Sequence, residues 1–168
     1  MEIRTAFLED CRAVAAVHVA SWQAAYAGIL DAGFLAGLSI DRREDSWRQV
    51  LSAADSELLL GCEDGSVVGF ASFGQSRDAD APPGRGELWA LYVQPRAWST
   101  GAGRELWRAS HARMQSQQFT SVSLWVLEGN SRAVRFYSVA GFAVEAGSEK
   151  EFELGGTKVR EVRMVHAS

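Results

Sequence analysis

At 168 residues, with 47% hydrophobic and 23% charged residues, the chain has the length and balance of one soluble domain, 1–168, that buries a core without disulfides or metal. A formal net charge of −4 gives no sign of general affinity for nucleic acid or an anionic membrane, so neither is expected as a partner. Cys11 and Cys62 lie in apolar patterns without metal-ligand spacing, which reads as two reduced, buried thiols. The opening Met1-Glu2-Ile3-Arg4 has no apolar signal core and no apolar run reaches membrane-span length, so a cytoplasmic protein is expected.

In chain order, residues 2–7 read as a short edge-like strand. Glu9 and Asp10 follow where acids favour a helix start. Cys11, Val14, Ala15, His18, Trp22 and Tyr26 recur at three and four residues, one face of an amphipathic helix that Gly28 ends. A second helical region, residues 31–53, is broken by Gly33 and Gly37. Residues 57–62 and 66–73 read as a hairpin around Glu63-Asp64-Gly65, with Gly69 marking a bulge or a close contact. Residues 77–86, RDADAPPGRG, have loop chemistry and read as a mobile loop. A strand over 87–93 is followed by a helix carrying Leu106, Trp107, Ser110 and Met114. Another strand covers 121–127, apolar on both faces and therefore central. A helix capped by Asn130 or Ser131 presents Ala133, Phe136, Tyr137 and Ala140 and stops at Gly141. Residues 142–154 and 157–165 close the chain as a hairpin around Gly155-Gly156. Hairpins alternating with helical crossovers predict an α+β fold, a mixed sheet with helices on both faces.

The chemistry concentrates in residues 87–104, ELWALYVQPRAWSTGAGR. Gln94-Pro95 ends the strand, and Ser99-Thr100-Gly101-Ala102-Gly103 opens the next helix with little side chain to keep a ligand from the backbone. Such a helix start offers unpaired N–H groups and the positive end of its dipole to an anion, phosphate above all. A dinucleotide fingerprint fails because Leu106 stands where the third glycine belongs, and a Walker loop fails because the only lysines are Lys150 and Lys158. Arg96, Arg104 and Arg108 suit a pyrophosphate on a long chain that runs back along the strand; a tight turn with no ligand is the other reading. Downstream, Asn130 and Tyr137 are seven residues apart and share a helix face, with Gly141-Phe142 at the helix end.

With both motifs in hand, the sequence resembles the GNAT N-acetyltransferases. Val93, Pro95, Gly101 and Gly103 match the family's acetyl-CoA motif, and Asn130, Ala133, Phe136, Tyr137, Gly141 and Phe142 match its downstream motif. The resemblance is strongest over 87–142 and implies a three-layer α/β/α fold around a mostly antiparallel sheet of six to seven strands. It implies an acetyl-CoA-dependent N-acetyltransferase without metal, acting on a small-molecule or peptide amine by direct attack in a ternary complex. One departure is Trp98, where the family has Gln or Arg; Ser99 stands where Gly is common. A non-catalytic acyl-CoA-binding module on the same fold is the alternative that Trp98 keeps open.

The resemblance assigns cofactor contacts to Leu91, Tyr92 and Val93 on the strand, to Trp98, Ser99, Thr100, Gly101, Ala102, Gly103 and Arg104 around the pyrophosphate, and to Asn130 and Tyr137 on the last helix. Tyr137 would protonate the leaving thiolate. The Val93 N–H would hold the oxyanion. Asn130 reads both as N-cap and as cofactor ligand. Glu87 is the candidate base, placed by period two on the face of Trp89, Leu91 and Val93, with a solvated strand end as the other reading and Glu128 in reserve. Arg132 and Arg135 face either the 3′-phosphate or solvent. His18 reads as a satisfied helix residue. Trp22, Tyr26 and Phe34 either line an acceptor pocket or fill the core under the second helix. A homodimer would cover the edge left by the closing hairpin.

Overall fold

Alternating branched and aromatic residues form the strands of one sheet, and the two long apolar stripes place helices on its opposite faces. The computed structural model describes residues 1–167. The strands are β1 (Glu2–Thr5), β2 (Ser56–Glu63), β3 (Ser66–Gln75), β4 (Arg85–Val93), β5 (Ser121–Leu127), β6 (Ala143–Val144), β7 (Lys150–Leu154) and β8 (Thr157–Ala167). The helices are α1 (Cys11–Ala25), α2 (Ala32–Ala36), α3 (Ile40–Ala53), α4 (Ala102–Ser116) and α5 (Ser131–Val139). The sheet order is β1-β2-β3-β4-β5-β8-β6, with β7 also on β8; β4 and β5 are parallel and the other pairs antiparallel. The α+β reading holds, with eight strands rather than six or seven, because residues 142–154 break into β6 and β7 instead of running as one arm of a hairpin.

The second helical region breaks at Gly37, the C-cap of α2, and restarts after Ser39, whose side chain accepts from Arg42 N–H. Gly33 stays inside α2. At the β2–β3 turn Asp64 and Gly65 have φ of 49° and 75°, the left-handed pair that matches strand twist in a two-residue hairpin.

One apolar cluster lies under α4 and α5 and includes Val68, Phe73, Leu88, Val93, Leu106, Met114, Val122, Leu124 and Met164. The opposite cluster joins α1 and α3 to the sheet through Cys11, Val14, Val17, Trp47, Leu58, Leu60 and Phe70. Both cysteines are buried and free. The apolar stripe of α4 lands as expected, with Leu106, Trp107, Ser110 and Met114 buried.

A bulge in β4 overturns one expectation. Pairing with β3 steps from Ser72↔Ala90 to Phe73↔Leu88, so Trp89 is an extra residue that shifts the alternation by one. Leu88, Leu91 and Val93 face the α4 side, whereas Ala90 and Tyr92 face α1 and α3. Glu87, next to Leu88, therefore lies on the face opposite Leu91 and Val93, not beside them.

The loop between β3 and β4, read as mobile, is tied down over its first half. The Arg77 N–H donates to Glu87 Oε2 at 2.8 Å and its guanidinium closes a salt bridge to the same carboxylate. Further on, Arg163 of β8 binds Asp78 at 3.1 Å, Asp80 at 2.7 and 2.8 Å, and Glu145. Asp78 also accepts from the Trp125 indole at 3.1 Å.

Two outcomes follow from this packing. A Cβ at Gly69 would stand 2.9 Å from both the Tyr92 carbonyl oxygen and Leu106 Cδ1, so Gly69→Ala should lower stability in urea unfolding by about 1–3 kcal/mol; an unchanged midpoint would refute the close contact. Hydrogen bonding to Arg163 holds the Asp80 carboxyl at about 2. A depressed folded pKa stabilises the loop contact above the unfolded value of about 3.9, and that contribution disappears as pH falls towards 2. Carbon NMR should give an Asp80 midpoint near 2 that returns to about 3.9 in Arg163→Met; a midpoint near 4 in the intact protein would remove the ion pair from the account.

Candidate functional site

β4 and β5 hold together over three residue pairs only, Arg85↔Ser121, Gly86↔Val122 and Glu87↔Ser123, and then separate. A parallel pair that parts leaves one side of each strand without a ladder partner. On the β3 side, Gln94 N–H donates to Val68 C=O at 2.8 Å, which makes Val93 and Gly69 a non-hydrogen-bonded pair. The peptide groups of Val93 and, two residues back, Leu91 therefore point away from β3 and into the gap.

At the end of this backbone rail the chain turns through Pro95–Ala97 into the start of α4. Ser99 has φ 63° and Gly101, the N-cap of α4, φ 100°. Two left-handed residues so close together curl the backbone and aim its N–H groups inward. From Ser99 to Arg104, six consecutive N–H groups have no hydrogen-bond acceptor among the described residues, and the first bond of the helix is Glu105 N–H to Gly101 C=O at 3.0 Å. The glycine at 101 is required by its φ, while Gly103 keeps the first turn open beside Phe136. Thr100 contributes by closing the turn, its hydroxyl donating to Ala97 C=O at 2.8 Å.

The departure at Trp98 resolves into a structural role. Its indole N–H donates to the Val93 C=O at 2.7 Å, tying the loop back to the rail. Arg132 of α5 stacks on the other side, its guanidinium carbon 3.8 Å from the ring centre. Arg104, Arg108, Arg132 and Arg135 all line the cleft, whereas Arg96 is turned to Gln94 at 2.7 Å. The positive charge that lines the cleft comes from helices α4 and α5.

The cleft has a volume of about 1030 Å³ and runs from α1 across the gap to α4, α5 and β8. All three tyrosines of the chain, Tyr26, Tyr92 and Tyr137, line its middle. Burial pushes each phenol up, and the hydroxyls of Tyr92 and Tyr137 act on Tyr26 while Tyr92 acts on Tyr137. Tyr137, 9% exposed, is held edge-on to Phe142 at 5.6 Å. A phenol so placed keeps its proton at neutral pH and has it available to donate. Asn130 lines the cleft and caps α5, accepting from Ala133 N–H at 3.2 Å.

Of the expected acceptor residues, Trp22 and Tyr26 line the cleft and Phe34 does not. The Phe34 ring fills the space against Gly155, in a small cluster with Leu30, Leu35 and Val159. Glu87 is 2% exposed, does not line the cleft, and has its carboxylate engaged by Arg77. Glu128 pairs with Arg160 at 3.1 Å. Sequence reasoning missed Trp89 and Trp125, and also His111 and His166, whose rings meet at 4.8 Å; all four line the cleft. Trp89 and Trp125 carry no motif, and only the bulge and the parting of β4 and β5 expose them.

No helix among the described residues is long and apolar enough to cross a membrane, and no cluster of three or more potential metal ligands occurs among them. Residues 22–142 match the family model described as acetyltransferase (GNAT) family. The chain is 34% identical over 160 residues to the "uncharacterized N-acetyltransferase YuaI" of Bacillus subtilis, covering 95% of this chain and 89% of that protein. It is 30% identical over 165 residues to the "probable N-acetyltransferase Rv2775" of Mycobacterium tuberculosis, covering 96% and 91%. Among solved structures, the PaiA N-acetyltransferase of Thermoplasma acidophilum in complex with coenzyme A superposes with a TM-score of 0.78 at 22% identity, over 99% of this chain and 98% of that one. By family model, by full-length relatives and by fold, the chain belongs to the acetyltransferase (GNAT) family and is an enzyme of the N-acetyltransferase class.

Proposed function

We propose that the protein transfers an acetyl group from acetyl-CoA to a primary amine by direct attack in a ternary complex. The observation that carries this reading is the junction of two open backbone surfaces: the Leu91 peptide group with the Val93 N–H, the Val93 carbonyl being taken by Trp98, and the N–H groups of residues 99–104, which have no acceptor among the described residues. A pyrophosphate fits the second, where backbone dipoles and the α4 N-terminus meet a dianion. A chain bearing amides fits the first, adding itself as a strand would. The neighbouring structures named for PaiA of Thermoplasma acidophilum and yncA of Salmonella typhimurium carry coenzyme A and acetyl-CoA respectively. Asn130, at the same opening, is available to the amide chain.

With the pantetheine on the rail, the thioester reaches the middle of the cleft, between Val93 and Tyr137. The neutral amine attacks the thioester carbonyl, the Val93 N–H donates to the developing oxyanion, and Tyr137 protonates the sulfur as the carbon–sulfur bond breaks; the proton lost by the nitrogen passes through water to the Tyr137 phenolate and restores the acid. Glu87 is held by Arg77 on the far face of β4 and would act only through intervening water. Desolvation in the aromatic cleft favours the neutral amine over the ammonium, which lowers the demand on any base. His18, Cys11 and Cys62 take no covalent part; both thiols are buried, and burial raises that of Cys11.

Labelled acetyl-CoA incubated with a mixture of amines and followed by mass spectrometry should yield N-acetylated product. Tight CoA binding with no transfer to any amine would leave only a binding module. Tyr137→Phe should lower kcat by about a hundredfold while leaving the calorimetric affinity for CoA near that of the parent protein. If turnover is unchanged, Tyr137 is not the acid. Gly101→Ala, forced into φ 100°, should weaken CoA binding by about tenfold through a distorted cradle; unaltered binding would argue that the 99–104 backbone does not hold the pyrophosphate.

A further inference from the structure

The cleft passes through the sheet at the β4–β5 gap, and its two faces differ in chemistry. Towards α4 and α5 it carries Arg104, Arg108, Arg132 and Arg135 beside the open backbone of residues 99–104. Towards α1 it is lined by Trp22, Tyr26, Trp89, Tyr92 and Trp125, and no charged side chain among the described residues joins them there. Trp125 belongs to that face because Leu124 and Val126, on either side of it, pack in the cluster under α4 and α5. Among the described residues, no aspartate or glutamate lines any part of the cleft.

The polar atoms of the three indoles are engaged within the protein. Trp89 N–H donates to the Gln75 carbonyl at 3.3 Å, Trp125 N–H to Asp78 at 3.1 Å, and Trp22 N–H faces the Tyr92 hydroxyl. A cation also stands over each ring: Arg43 over Trp22 at 5.3 Å, Arg77 over Trp89 at 4.4 Å, and Lys150 over Trp125 at 3.6 Å with Arg163 at 5.4 Å. None of these cations lines the cleft, whereas all three rings do. A ring that already faces a cation attracts a second one weakly, because two like charges would lie across one indole. Arg77 and Asp78 are consecutive, so one anchored segment of the β3–β4 loop sets both Trp89 and Trp125. A ligand on this face therefore meets π surface, with the hydroxyls of Tyr26, Tyr92 and Tyr137 as the polar spot.

We propose that this aromatic chamber receives the acceptor, and that the acceptor is a primary amine carried on an uncharged aromatic group, an aromatic alkylamine without a carboxylate or a second ammonium. Giving the chamber to the acceptor rests on the transfer reading above, which leaves the α4 and α5 face to the cofactor; the preference of the chamber for an uncharged aromatic group does not. Such a group packs offset or edge-on against the indoles. A polyamine or an aminosugar would bring several ammonium groups into a cleft without a carboxylate. An amino acid would set its carboxylate against walls without a cation, and either charge is costly to desolvate unpaired. The Trp22 ring meets Tyr26 at 5.0 Å and Tyr92 at 6.4 Å, so an aromatic group held there carries an amine on a short alkyl arm to the tyrosine hydroxyls.

Binding is read first, on the full chain with CoA in place of acetyl-CoA. The indole N–H signals of Trp89 and Trp125, assigned through Trp89→Phe and Trp125→Phe, are followed by NMR while phenethyl alcohol, phenylalanine or spermidine is added. Phenethyl alcohol, the uncharged analogue of phenethylamine, should shift both signals saturably and bind about tenfold or more tightly than either charged compound. No shift, or equal or tighter binding of phenylalanine or spermidine, would overturn the chamber. With acetyl-CoA, phenethylamine should be acetylated with a kcat/KM about tenfold or more above those of phenylalanine and spermidine. Trp125→Leu should raise the KM for phenethylamine about tenfold and Trp125→Phe by less, both with the calorimetric affinity for CoA unaltered. An unchanged KM, or a loss of CoA affinity in Trp125→Leu, would take Trp125 out of the acceptor wall and overturn the assignment. Shifts by phenethyl alcohol without product from any amine would sink the transfer reading and leave the preference of the chamber standing, whereas faster acetylation of phenylalanine or spermidine would sink the acceptor class alone.

Discussion

The parting of β4 from β5 after Glu87↔Ser123 is the constraint on which the site depends. Inside a sheet, backbone polar groups normally satisfy one another, and a gap between two central strands would be costly if nothing filled it. Here the gap is kept open from both sides. The bulge at Trp89 bends β4, and α4 and α5 stand over the opening with Leu91, Phe136 and Tyr137 along its wall. What a continuous sheet would spend on ladder bonds remains available to a ligand with amides of its own.

Fixing the two walls falls to different forces. On the cradle side the ties are short-range hydrogen bonds, Trp98 to Val93 and Thr100 to Ala97, so the loop is set directly against the strand it extends. Beside the β3–β4 loop the ties are charges. Arg163, 8% exposed, gathers Asp78, Asp80 and Glu145 from two segments remote in sequence, and Arg77 takes up Glu87. Breaking such a partly buried network leaves several charges without partners. A carboxylate that looked free to act as a base is thus part of the anchor of the loop beside it.

Aromatic packing links the walls. His18, Phe70, Trp22, Trp47 and Tyr92 stack or meet edge-on between 5.0 and 6.4 Å, carrying the position of α1 and α3 onto β4. The tyrosine hydroxyls lie at the cleft end of this assembly. Low polarity keeps them protonated, the state in which a general acid is useful.

Much of this was legible in the residues. Local signals have local causes: the Asp64-Gly65 turn, the α4 stripe, the Asn130 cap and the glycine at a left-handed position all act within a few residues, and all appear where the sequence places them. The cofactor motifs were legible for the same reason, since a backbone cradle is built from consecutive residues. Tertiary structure alone decided the rest. One extra residue at Trp89 moved Glu87 to the other face, which no period-two count can foresee. Phe34 left the pocket because Gly155, far along the chain, offers its ring a seat. The stacking of Arg43 on Trp22, and the pairing of Arg163 with its three carboxylates, join segments that only the packed sheet and helices bring together. The sequence by itself determined the family and the backbone curl at the start of α4, because those rest on contiguous residues. The rest of the cleft is assembled from side chains of α1, β4, β5 and β8, and it exists only where long-range packing sets them.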